Sequence, residues 1–339
     1  MNVMRERLRD LIARIDLSEE ETAELVGEIM SGSATDAQIG AVMAALATKG
    51  ETFSELAGAA RAMRRRATRI QTNADVVVDT CGTGGDGSNT FNISTTAAFV
   101  VAGCGVTVAK HGNRSISSKC GSADLLEALG VNLQVGPEVV EETVRQIGIG
   151  FLFAPLFHGA MRYAAKARKE LGVRSIFNML GPLTNPAGAN CQLIGVYAAE
   201  LTEMFAHALQ RLGARRAFVV HGHDGLDEIS VCAPTRISEL NNGSIKTYDM
   251  TPEQLLGRTA DPSDLAGGSP AENAEITTKI LSGEAGPRRD VVVVNSAAAL
   301  LAAGAACNFS EGIRMAERAI DEGKAREKLV ELVKLTGQN

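Results

Sequence analysis

Four glycines crowd a short segment that could bind phosphate. Residues 79–95 read DTCGTGGDGSNTFNIST and lie between the apolar run at 76–78 and an alanine-rich stretch. Glycine-rich loops that lead into a helix present backbone N–H groups to anions, and the helix N-terminus favours negative charge. The carboxylate of Asp86 would repel a bare phosphate, so we expect it to face a sugar hydroxyl or a metal-bound water. Ser94 could offer its hydroxyl to a Mg²⁺ ion shared with the phosphates.

The same loop fits two better-known phosphate motifs only in part. Residues 82–87 match G-x-G-x-x-G between a strand and a helix, but that motif needs an acid about 20 residues later, where Lys110 stands. An NAD site is therefore disfavoured. A Walker A loop is excluded because no Gly-Lys-Ser/Thr follows. A purely structural turn stays an alternative, since glycine suits any position with positive φ.

A second polar cluster, KHGNRSISSKCGSAD at residues 110–124, follows the next predicted strand. In parallel α/β sheets, ligands bind at the carboxyl ends of the strands. The serine-rich run leads into a predicted helix, which favours anion binding again. A solvated polar loop is the alternative. Two neighbouring strand ends therefore carry residues suited to phosphate.

A third cluster, HGHDGLDEIS at residues 221–230, follows a further predicted strand. Its acids Asp224, Asp227 and Glu228 suit Mg²⁺, which prefers oxygen ligands and is often shared with substrate phosphates. Zinc held with His221 and His223 is an alternative, and so is a charged surface loop. We expect His221 to be a structural residue at the strand end.

The elements that must position these clusters fall into two groups. Residues 1 to about 70 show only helical periodicity, with caps before the predicted helices. From about residue 74, short β-branched runs alternate with helical segments, which predicts a mostly parallel sheet covered on both faces. The predicted strands are DVVVDT at 75–80, VTVAK at 106–110, NLQV at 132–135, IGFLFAP at 149–155, CQLIGVYA at 191–198, RAFVVHG at 216–222 and DVVVVN at 290–295.

These patterns predict an α/β protein with two domains. A small N-terminal all-helical domain would span residues 1–70. A larger α/β domain that carries the phosphate-type clusters, with a mostly parallel central sheet flanked by helices, would span residues 71–339. A helical segment at about 157–190 interrupts the alternation and is expected to pack onto the first domain. The cleft between the two would hold the substrates.

Composition excludes several function classes. The formal net charge is −6, which argues against nucleic-acid binding, and apolar residues make up 45% of the chain. No apolar run reaches the roughly 18 residues that a membrane helix needs, and the N-terminus shows no secretory signal, so we expect a cytoplasmic protein. The six cysteines form no CxxC pair and are expected to be reduced. A catalytic thiol at Cys81 is disfavoured, because the sequence places no base beside it.

Four segments together resemble the anthranilate phosphoribosyltransferase family. They are GTGGDGSNTFNIST, KHGNRSISSKCGSAD, RKELGVRSIFNMLGPLTNP and DGLDEIS, in the family's order and spacing over nearly the entire chain. The resemblance implies a Mg²⁺-dependent homodimer, associated through the helical domain, that joins 5-phosphoribosyl 1-diphosphate to anthranilate. A nucleoside phosphorylase on the same scaffold is disfavoured by the KHGNRS loop and the acid pair. A nucleic-acid-binding relative is disfavoured by the acidic charge and by Asn113 and Arg168.

The resemblance also implies roles for individual residues. The residues implied to contact the diphosphate sugar are Gly82, Gly85, Asp86, Thr90, Asn92, Ile93, Ser94, Thr95, Lys110, His111, Gly112, Asn113, Arg114, Ser115, Ile116, Ser117, Ser118 and Ser122. Those implied to contact anthranilate are Gly82, His111, Asn113, Pro155, His158, Arg168, Gly181 and Pro182, with Arg168 the partner of its carboxylate. Two Mg²⁺ ions per subunit would be held by Ser94, Asp227 and Glu228, with Glu228 bridging both.

Overall fold

The computed structural model describes residues 3–115 and 119–337, and the chain begins with four helices. They are α1 (Val3–Ile12), α2 (Glu19–Ser31), α3 (Asp36–Lys49) and α4 (Phe53–Arg66). Capping boxes set three of their starts: Ser18, Thr35 and Thr52 each accept a backbone N–H three residues on and are bonded in return. Each box satisfies N–H groups that a helix start leaves unpaired. The predicted all-helical N-terminus is confirmed.

One seven-stranded sheet follows, in the order β3-β2-β1-β4-β5-β6-β7. The first five strands in this order are parallel, and the last two are antiparallel. The mostly parallel sheet flanked by helices is therefore confirmed. The strands are β1 (Val78–Gly82), β2 (Val108–Gly112), β3 (Ile149–Phe153), β4 (Cys191–Gly195), β5 (Arg216–Gly222), β6 (Thr235–Asn241) and β7 (Ser244–Met250).

Helices cover both faces of this sheet. They are α5 (Ile93–Gly103), α6 (Ser122–Ala128), α7 (Pro137–Ile147), α8 (Ala154–Phe157), α9 (Arg162–Leu171), α10 (Ile176–Met179), α11 (Leu201–Arg211), α12 (Pro252–Leu256), α13 (Pro270–Leu281), α14 (Pro287–Ala303), α15 (Phe309–Asp321) and α16 (Lys324–Thr336). Short 3₁₀ turns lie at Gly159–Met161, Gly181–Leu183 and Pro262–Leu265. Within residues 3–115 and 119–337, no helix has the length and apolarity needed to cross a membrane.

Alternate residues of one strand belong to two different cores. Phe218 and Val220 of β5 pack with α5 and α14, whereas Ala217 and Val219 pack with α11 and the N-terminal helices. This follows from the two-residue period of a strand, which sends successive side chains to opposite faces. Helices α9 and α10 contribute to the second core, so the polar segment around them lies beside both the helical region and the sheet.

Two predicted strands are wrong. Residues 290–295, DVVVVN, lie inside α14, and residues 132–135, NLQV, form no strand. A short buried apolar run does not distinguish strand from helix, and length decides between them. Helix α14 has 17 residues, begins with Pro287 at its first turn and ends at Gly304 with φ +74°, and these are recognisable start and stop signals.

The sequence analysis also missed a hairpin. Strands β6 and β7 pair in antiparallel fashion around Asn242 and Gly243, whose φ angles are +47° and +82°. Positive φ at both central residues is what a tight two-residue hairpin turn requires, and Asn-Gly is its strongest sequence signal. The dipeptide was therefore a detectable signal between two alternating segments.

Candidate active site

The ends of three parallel strands meet at one acidic side chain. The backbone N–H of Gly84, just after β1, donates to Oδ2 of Asp227 at 3.1 Å. A Cβ on Gly82 would lie 2.6 Å from that same oxygen. A Cβ on Gly195, the last residue of β4, would collide with the backbone carbonyl of Asp227. Glycine is required at Gly195 because the segment after β5 passes directly over the end of β4, and a side chain at Gly82 would displace the Asp227 carboxylate.

The glycine loop owes its shape to a series of left-handed residues. Gly84, Gly85 and Gly87 have φ of +64°, +76° and +75°, and Asn89 has φ of +54°. Glycine adopts these angles without the steric penalty of a Cβ. The repeated positive φ turns the chain back so that α5 can start beside β1. The Thr83 N–H, which donates to the Gly195 carbonyl at 2.9 Å, ties the loop to β4.

Helix α5 brings a second acid into the same place. The N–H of Ser94, in the first turn of α5, donates to Oε1 of Glu228 at 3.1 Å. Thr80 of β1 donates its hydroxyl to the Ser94 carbonyl at 2.9 Å and fixes that turn from below. The structure thus brings together Ser94, Asp227 and Glu228, the three residues that the sequence analysis connected with metal.

Negative charge at this point is only partly compensated. Glu228 is buried and Asp227 half-buried. Burial raises the pKa of both carboxyls; the charge of Asp86 raises that of Asp227 further, and the charge of Asp227 raises that of Glu228. Carboxylates this close together repel each other, and protonation of one of them or binding of a cation relieves the repulsion. A divalent ion would satisfy them, and their hard oxygens together with a hydroxyl suit Mg²⁺.

The donor set is too small to form a closed cage. Within the described ranges, no three His, Cys, Asp or Glu side chains are arranged to enclose a metal ion. Oxygens of substrate or water would have to complete the coordination, as is usual for Mg²⁺ at phosphate sites. The zinc alternative fails on geometry: His221 contacts the Val196 carbonyl through Nδ1 at 2.8 Å, as expected of a structural residue, while His223 lies 3.4 Å from Asp249.

Lys110 lies beneath the loop rather than on its surface. The side chain is 3% exposed, and its ammonium donates to the Thr80 carbonyl and lies 3.5 Å from the Ser94 hydroxyl. Burial lowers the pKa of Lys110, and the nearby carboxylate of Asp79 opposes that shift. Its positive charge therefore lies under the first turn of α5, where it would attract an anion bound at that helix N-terminus.

Two residues that the sequence analysis did not single out hold this strand pair in register. Asp79 of β1 is fully buried, and it accepts the His111 N–H at 3.1 Å and the Asn185 amide at 2.7 Å. The same Asn185 amide donates to the Ala109 carbonyl at 2.7 Å. An acid inside the apolar run VVVDT was a usable signal, because a buried charge needs partners.

The loop after β2 is anchored to α6. Ser122 donates its hydroxyl to the Asn113 carbonyl at 3.2 Å, and the Ser115 N–H donates to Asp124 at 3.1 Å. The guanidinium of Arg114 is exposed and bonds to Asp124 and Glu127. Arg114 is thus paired with acids of α6 in this structure, and its contact with the diphosphate sugar stays a prediction. The predicted sites Ile116, Ser117 and Ser118 lie outside the described residues.

Other predicted donor-site residues surround the start of α5. Asn92 precedes the helix and accepts the Asn273 amide at 2.9 Å, while its own amide donates to the Cys120 carbonyl at 3.0 Å. Ile93 and Thr95 are buried in the first turn, and Thr90 forms a bridge with Ala266. The side chain of Asn92 is therefore used to join α5 to α13 and α6.

Two histidines line the opposite side of the β2 end. The rings of His111 and His158 lie 5.0 Å apart, and His111 Nδ1 is 3.0 Å from the Gly181 carbonyl. A carbonyl only accepts, so Nδ1 carries the proton. Burial lowers the pKa of His111 to about 3 and that of His158 to about 4. Both rings are neutral at pH 7, and among the residues that the structure describes the buried Nε2 atoms have no hydrogen-bond partner.

Three further predicted acceptor residues lie in α8, in the 3₁₀ turn at Gly181–Leu183 and in α9. Pro155 lies in α8 beside His158, and Pro182 is buried in the 3₁₀ turn, where its carbonyl accepts the Gln192 amide at 2.8 Å. Arg168 of α9 is half-buried, with its guanidinium carbon 5.9 Å from the Phe177 ring, and burial lowers its pKa. A desolvated guanidinium is a strong partner for a ligand carboxylate.

The thiol of Cys81 does not act as a nucleophile here. It is buried, and burial together with the nearby charge of Asp79 raises its pKa well above the ordinary value. Nucleophilic cysteines need a lowered pKa and access to substrate. One further residue was missed by the sequence analysis: Arg174 donates from Nη2 to the Gly85 carbonyl and lies over the Tyr197 ring at 4.1 Å.

Comparisons with known proteins match both the helical part and the α/β part of the chain. Residues 5–67 match the helical bundle domain of a glycosyl transferase family, and residues 74–326 match its a/b domain. The chain is 71% identical to anthranilate phosphoribosyltransferase of Syntrophobacter fumaroxidans, over 99% of this chain and 100% of the relative.

Solved structures show the same architecture. Anthranilate phosphoribosyltransferase (TrpD) of Thermus thermophilus superposes with a TM-score of 0.93 at 42% identity, over 99% of this chain and 100% of that one. The Saccharomyces cerevisiae enzyme in complex with PRPP and Mg gives a TM-score of 0.90 at 29% identity, over 99% and 98%. The same yeast enzyme in complex with 4-fluoroanthranilate superposes with a TM-score of 0.88 at 29% identity, over 99% of this chain and 98% of that one. The chain belongs to the anthranilate phosphoribosyltransferase family, the pentosyltransferases of tryptophan biosynthesis.

Proposed function

We propose that this chain transfers the phosphoribosyl group of 5-phosphoribosyl 1-diphosphate to the amine of anthranilate, giving N-(5-phosphoribosyl)anthranilate and pyrophosphate. The observation that carries the proposal is the pair of hydrogen bonds from Gly84 to Asp227 and from Ser94 to Glu228. They bring a glycine loop, a helix N-terminus and two acids to one point. Yeast relatives bind PRPP with Mg and 4-fluoroanthranilate, which supports both substrate classes.

The donor sugar would bind over the glycine loop and the start of α5. Backbone N–H groups there, with the charge of Lys110 below, stabilise the diphosphate as its negative charge grows. Ser94, Asp227 and Glu228 would hold two Mg²⁺ ions, with Glu228 shared between them. When bound, the ions supply Lewis-acid stabilisation of the leaving diphosphate. The proposed loop and strand-end contacts are Gly82, Gly85, Asp86, Thr90, Asn92, Thr95, Gly112, Asn113 and Ser122.

The acceptor would lie between His111, His158 and Pro182, with its carboxylate on Arg168. The guanidinium of Arg168 is half-buried on α9, which faces the helical region. Because both imidazoles are neutral, they add no competing positive charge and present aromatic faces to the ring. Charge pairing with Arg168 and ring packing between the histidines would then set the direction in which the amine points.

The chemistry needs no activated nucleophile on the protein. The bond from ribose C1 to the diphosphate oxygen breaks, its electron pair leaves with the diphosphate, and the sugar becomes strongly electrophilic. The lone pair of the aromatic amine then forms the C1–N bond, and the nitrogen releases one proton. An aromatic amine is neutral at pH 7, so positioning and exclusion of water supply most of the rate.

We further propose a cytoplasmic homodimer that associates through the helical domain. Ile12 and Ile15, at and just after the end of α1, are 70% and 54% exposed, and two large apolar side chains this close together favour a partner surface. The apolar face of α3, formed by Ile39, Val42, Met43 and Leu46, is buried core and is not available as a partner surface.

The experiment that tests the function is a fluorescence assay for loss of anthranilate. We expect a decrease only when the diphosphate sugar and Mg²⁺ are both present, and no further decrease once EDTA is added. Consumption without the sugar, or without a divalent ion, contradicts the proposal. Phosphorolysis of a pyrimidine nucleoside by the same preparation, with no loss of anthranilate, would indicate the phosphorylase alternative instead.

The acceptor assignment has its own test in Arg168→Ala. We expect the KM for anthranilate to rise at least about tenfold, the size of a lost charge-assisted contact, while the KM for the diphosphate sugar changes less than twofold. Lys169→Ala is the matched control, since Lys169 is the exposed neighbour on the same helix. Equal increases in both constants would contradict a carboxylate contact at Arg168.

A further inference from the structure

Arg174 links the helical side of the molecule to the glycine loop. It lies in the short connection between α9 and α10, and its Nη2 donates to the carbonyl of Gly85. Its guanidinium lies 4.1 Å from the centre of the Tyr197 ring, and the Tyr197 N–H donates to the Thr83 hydroxyl at 3.1 Å. The guanidinium is thus held between an aromatic face after β4 and a backbone carbonyl of the loop.

This hydrogen bond determines which way one peptide group of the loop faces. A peptide bond is planar and trans, so its C=O and N–H point in opposite directions. With the Gly85 carbonyl turned toward Arg174, the N–H of Asp86 must point to the other side of the loop. One residue earlier, the Gly84 N–H donates to Oδ2 of Asp227 at 3.1 Å. The loop is therefore fixed on one side by an acid and on the other by an arginine.

Such anchors matter because the loop is intrinsically permissive. Gly84, Gly85 and Gly87 all have positive φ, and glycine reaches many other conformations at similar energy. A loop that must select one conformation on binding loses affinity in proportion to the fraction of time it spends in the others. A Cβ on Gly85 would lie 3.1 Å from Arg174 Nη2, so the arginine also limits where that residue can move.

We propose that Arg174 is a positioning residue for the diphosphate sugar: through the Gly85 carbonyl it orients the Gly85–Asp86 peptide so that its N–H faces the diphosphate. The inference rests on the proposed function. Because α9 and α10 pack against α2 and α3, the same contact links the donor loop to the part of the molecule that carries the acceptor-binding Arg168. Loss of Arg174 should weaken donor binding and leave acceptor binding in place.

The test compares Arg174→Ala and Arg174→Lys with Arg162→Ala. Arg162 is a matched control because it also lies over a tyrosine, Tyr163 at 4.7 Å, and donates to that residue's hydroxyl. We expect Arg174→Ala to raise the KM for the diphosphate sugar roughly tenfold to hundredfold, the range for a charge-assisted hydrogen bond. The KM for anthranilate should change less than twofold, and the melting temperature without substrate should not change.

Arg174→Lys should give an intermediate KM, because an ammonium can still donate to the carbonyl but stacks less well on Tyr197. Arg162→Ala should match the wild type. Unchanged donor KM in both Arg174 variants, or equal changes in the two KM values, would overturn the inference. Failure of the proposed function would be seen separately, as wild-type protein that consumes no anthranilate.

Discussion

Asp227 and Glu228 carry negative charge that the folded chain compensates only in part. Replacing both with neutral amides, Asp227→Asn with Glu228→Gln, should lower kcat at least about a hundredfold, since stabilisation of the leaving group is lost. The metal-free protein should melt at the same temperature or higher, because the repulsion between the buried Glu228 and the half-buried Asp227 is gone. Activity assays against Mg²⁺ concentration and thermal melts measure the two effects.

Asp224→Asn is the control for that pair. Asp224 lies in the same segment but accepts the Ser230 hydroxyl at 2.6 Å and therefore serves the fold. We expect its loss to lower the melting temperature and to leave the dependence on Mg²⁺ unchanged. Wild-type turnover with normal Mg²⁺ dependence in the double variant would contradict the metal assignment.

His158 should make stability sensitive to acid. Its pKa is lowered to about 4 by burial, whereas an unfolded histidine titrates near 6.5. Below about pH 6.5 His158 is protonated in the unfolded chain but stays neutral in the folded chain. The free energy of unfolding therefore falls as pH falls. The expected slope is about 1.4 kcal/mol per pH unit, down to about pH 4.

Urea unfolding of the wild type and of His158→Gln between about pH 7.5 and 4.5 checks this slope. As the solution is acidified, the free energy of unfolding of the wild type should fall relative to that of His158→Gln, because glutamine does not titrate. Parallel curves would show that the imidazole is not shielded in the folded state.

At the scale of the elements, the end of β4 is the most constrained position. A Cβ on Gly195 would collide with the Asp227 backbone, so Gly195→Ala must displace either β4 or the acid segment. We expect about 3 kcal/mol of destabilisation, at the upper end for overpacking, together with loss of Mg²⁺-dependent activity. Chemical denaturation and the anthranilate assay measure these.

Gly40→Ala separates this effect from glycine substitution in general. Gly40 lies inside α3, and a Cβ there would meet nothing within 4 Å. Alanine should stabilise that helix by about 0.5–1 kcal/mol and leave kinetics unchanged. Similar behaviour of the two variants would show that Gly195 is not needed for close approach.

At the scale of the whole molecule, the exposed apolar end of α1 predicts the assembly state. Ile12→Glu with Ile15→Glu should reduce the mass in solution from two chains to one chain of 35.6 kDa, because charge in a buried apolar interface is costly. Light scattering after gel filtration measures this mass. Val330→Glu on α16, also exposed, should leave the mass unchanged. A wild-type protein that is already monomeric contradicts the proposed dimer.

Local patterns in the sequence determined a large part of this protein. The strands β1 to β5 and the N-terminal helices were predictable because periodicity and capping act over a few residues. The glycine loop and the acid pair could be singled out because few residue types suit diphosphate and Mg²⁺, and their roles in binding stay predictions. The Asn242–Gly243 turn was equally local and was overlooked.

Only the tertiary structure decided which residues meet. It placed residues 290–295 in a buried helix, where propensity alone favours a strand. It put the Lys110 ammonium beneath the loop, paired Arg114 with the acids of α6, and brought Arg174 to Gly85 across 89 positions of chain. The physical reason is that burial, charge pairing and close backbone approach depend on neighbours distant in sequence, and no local pattern encodes them.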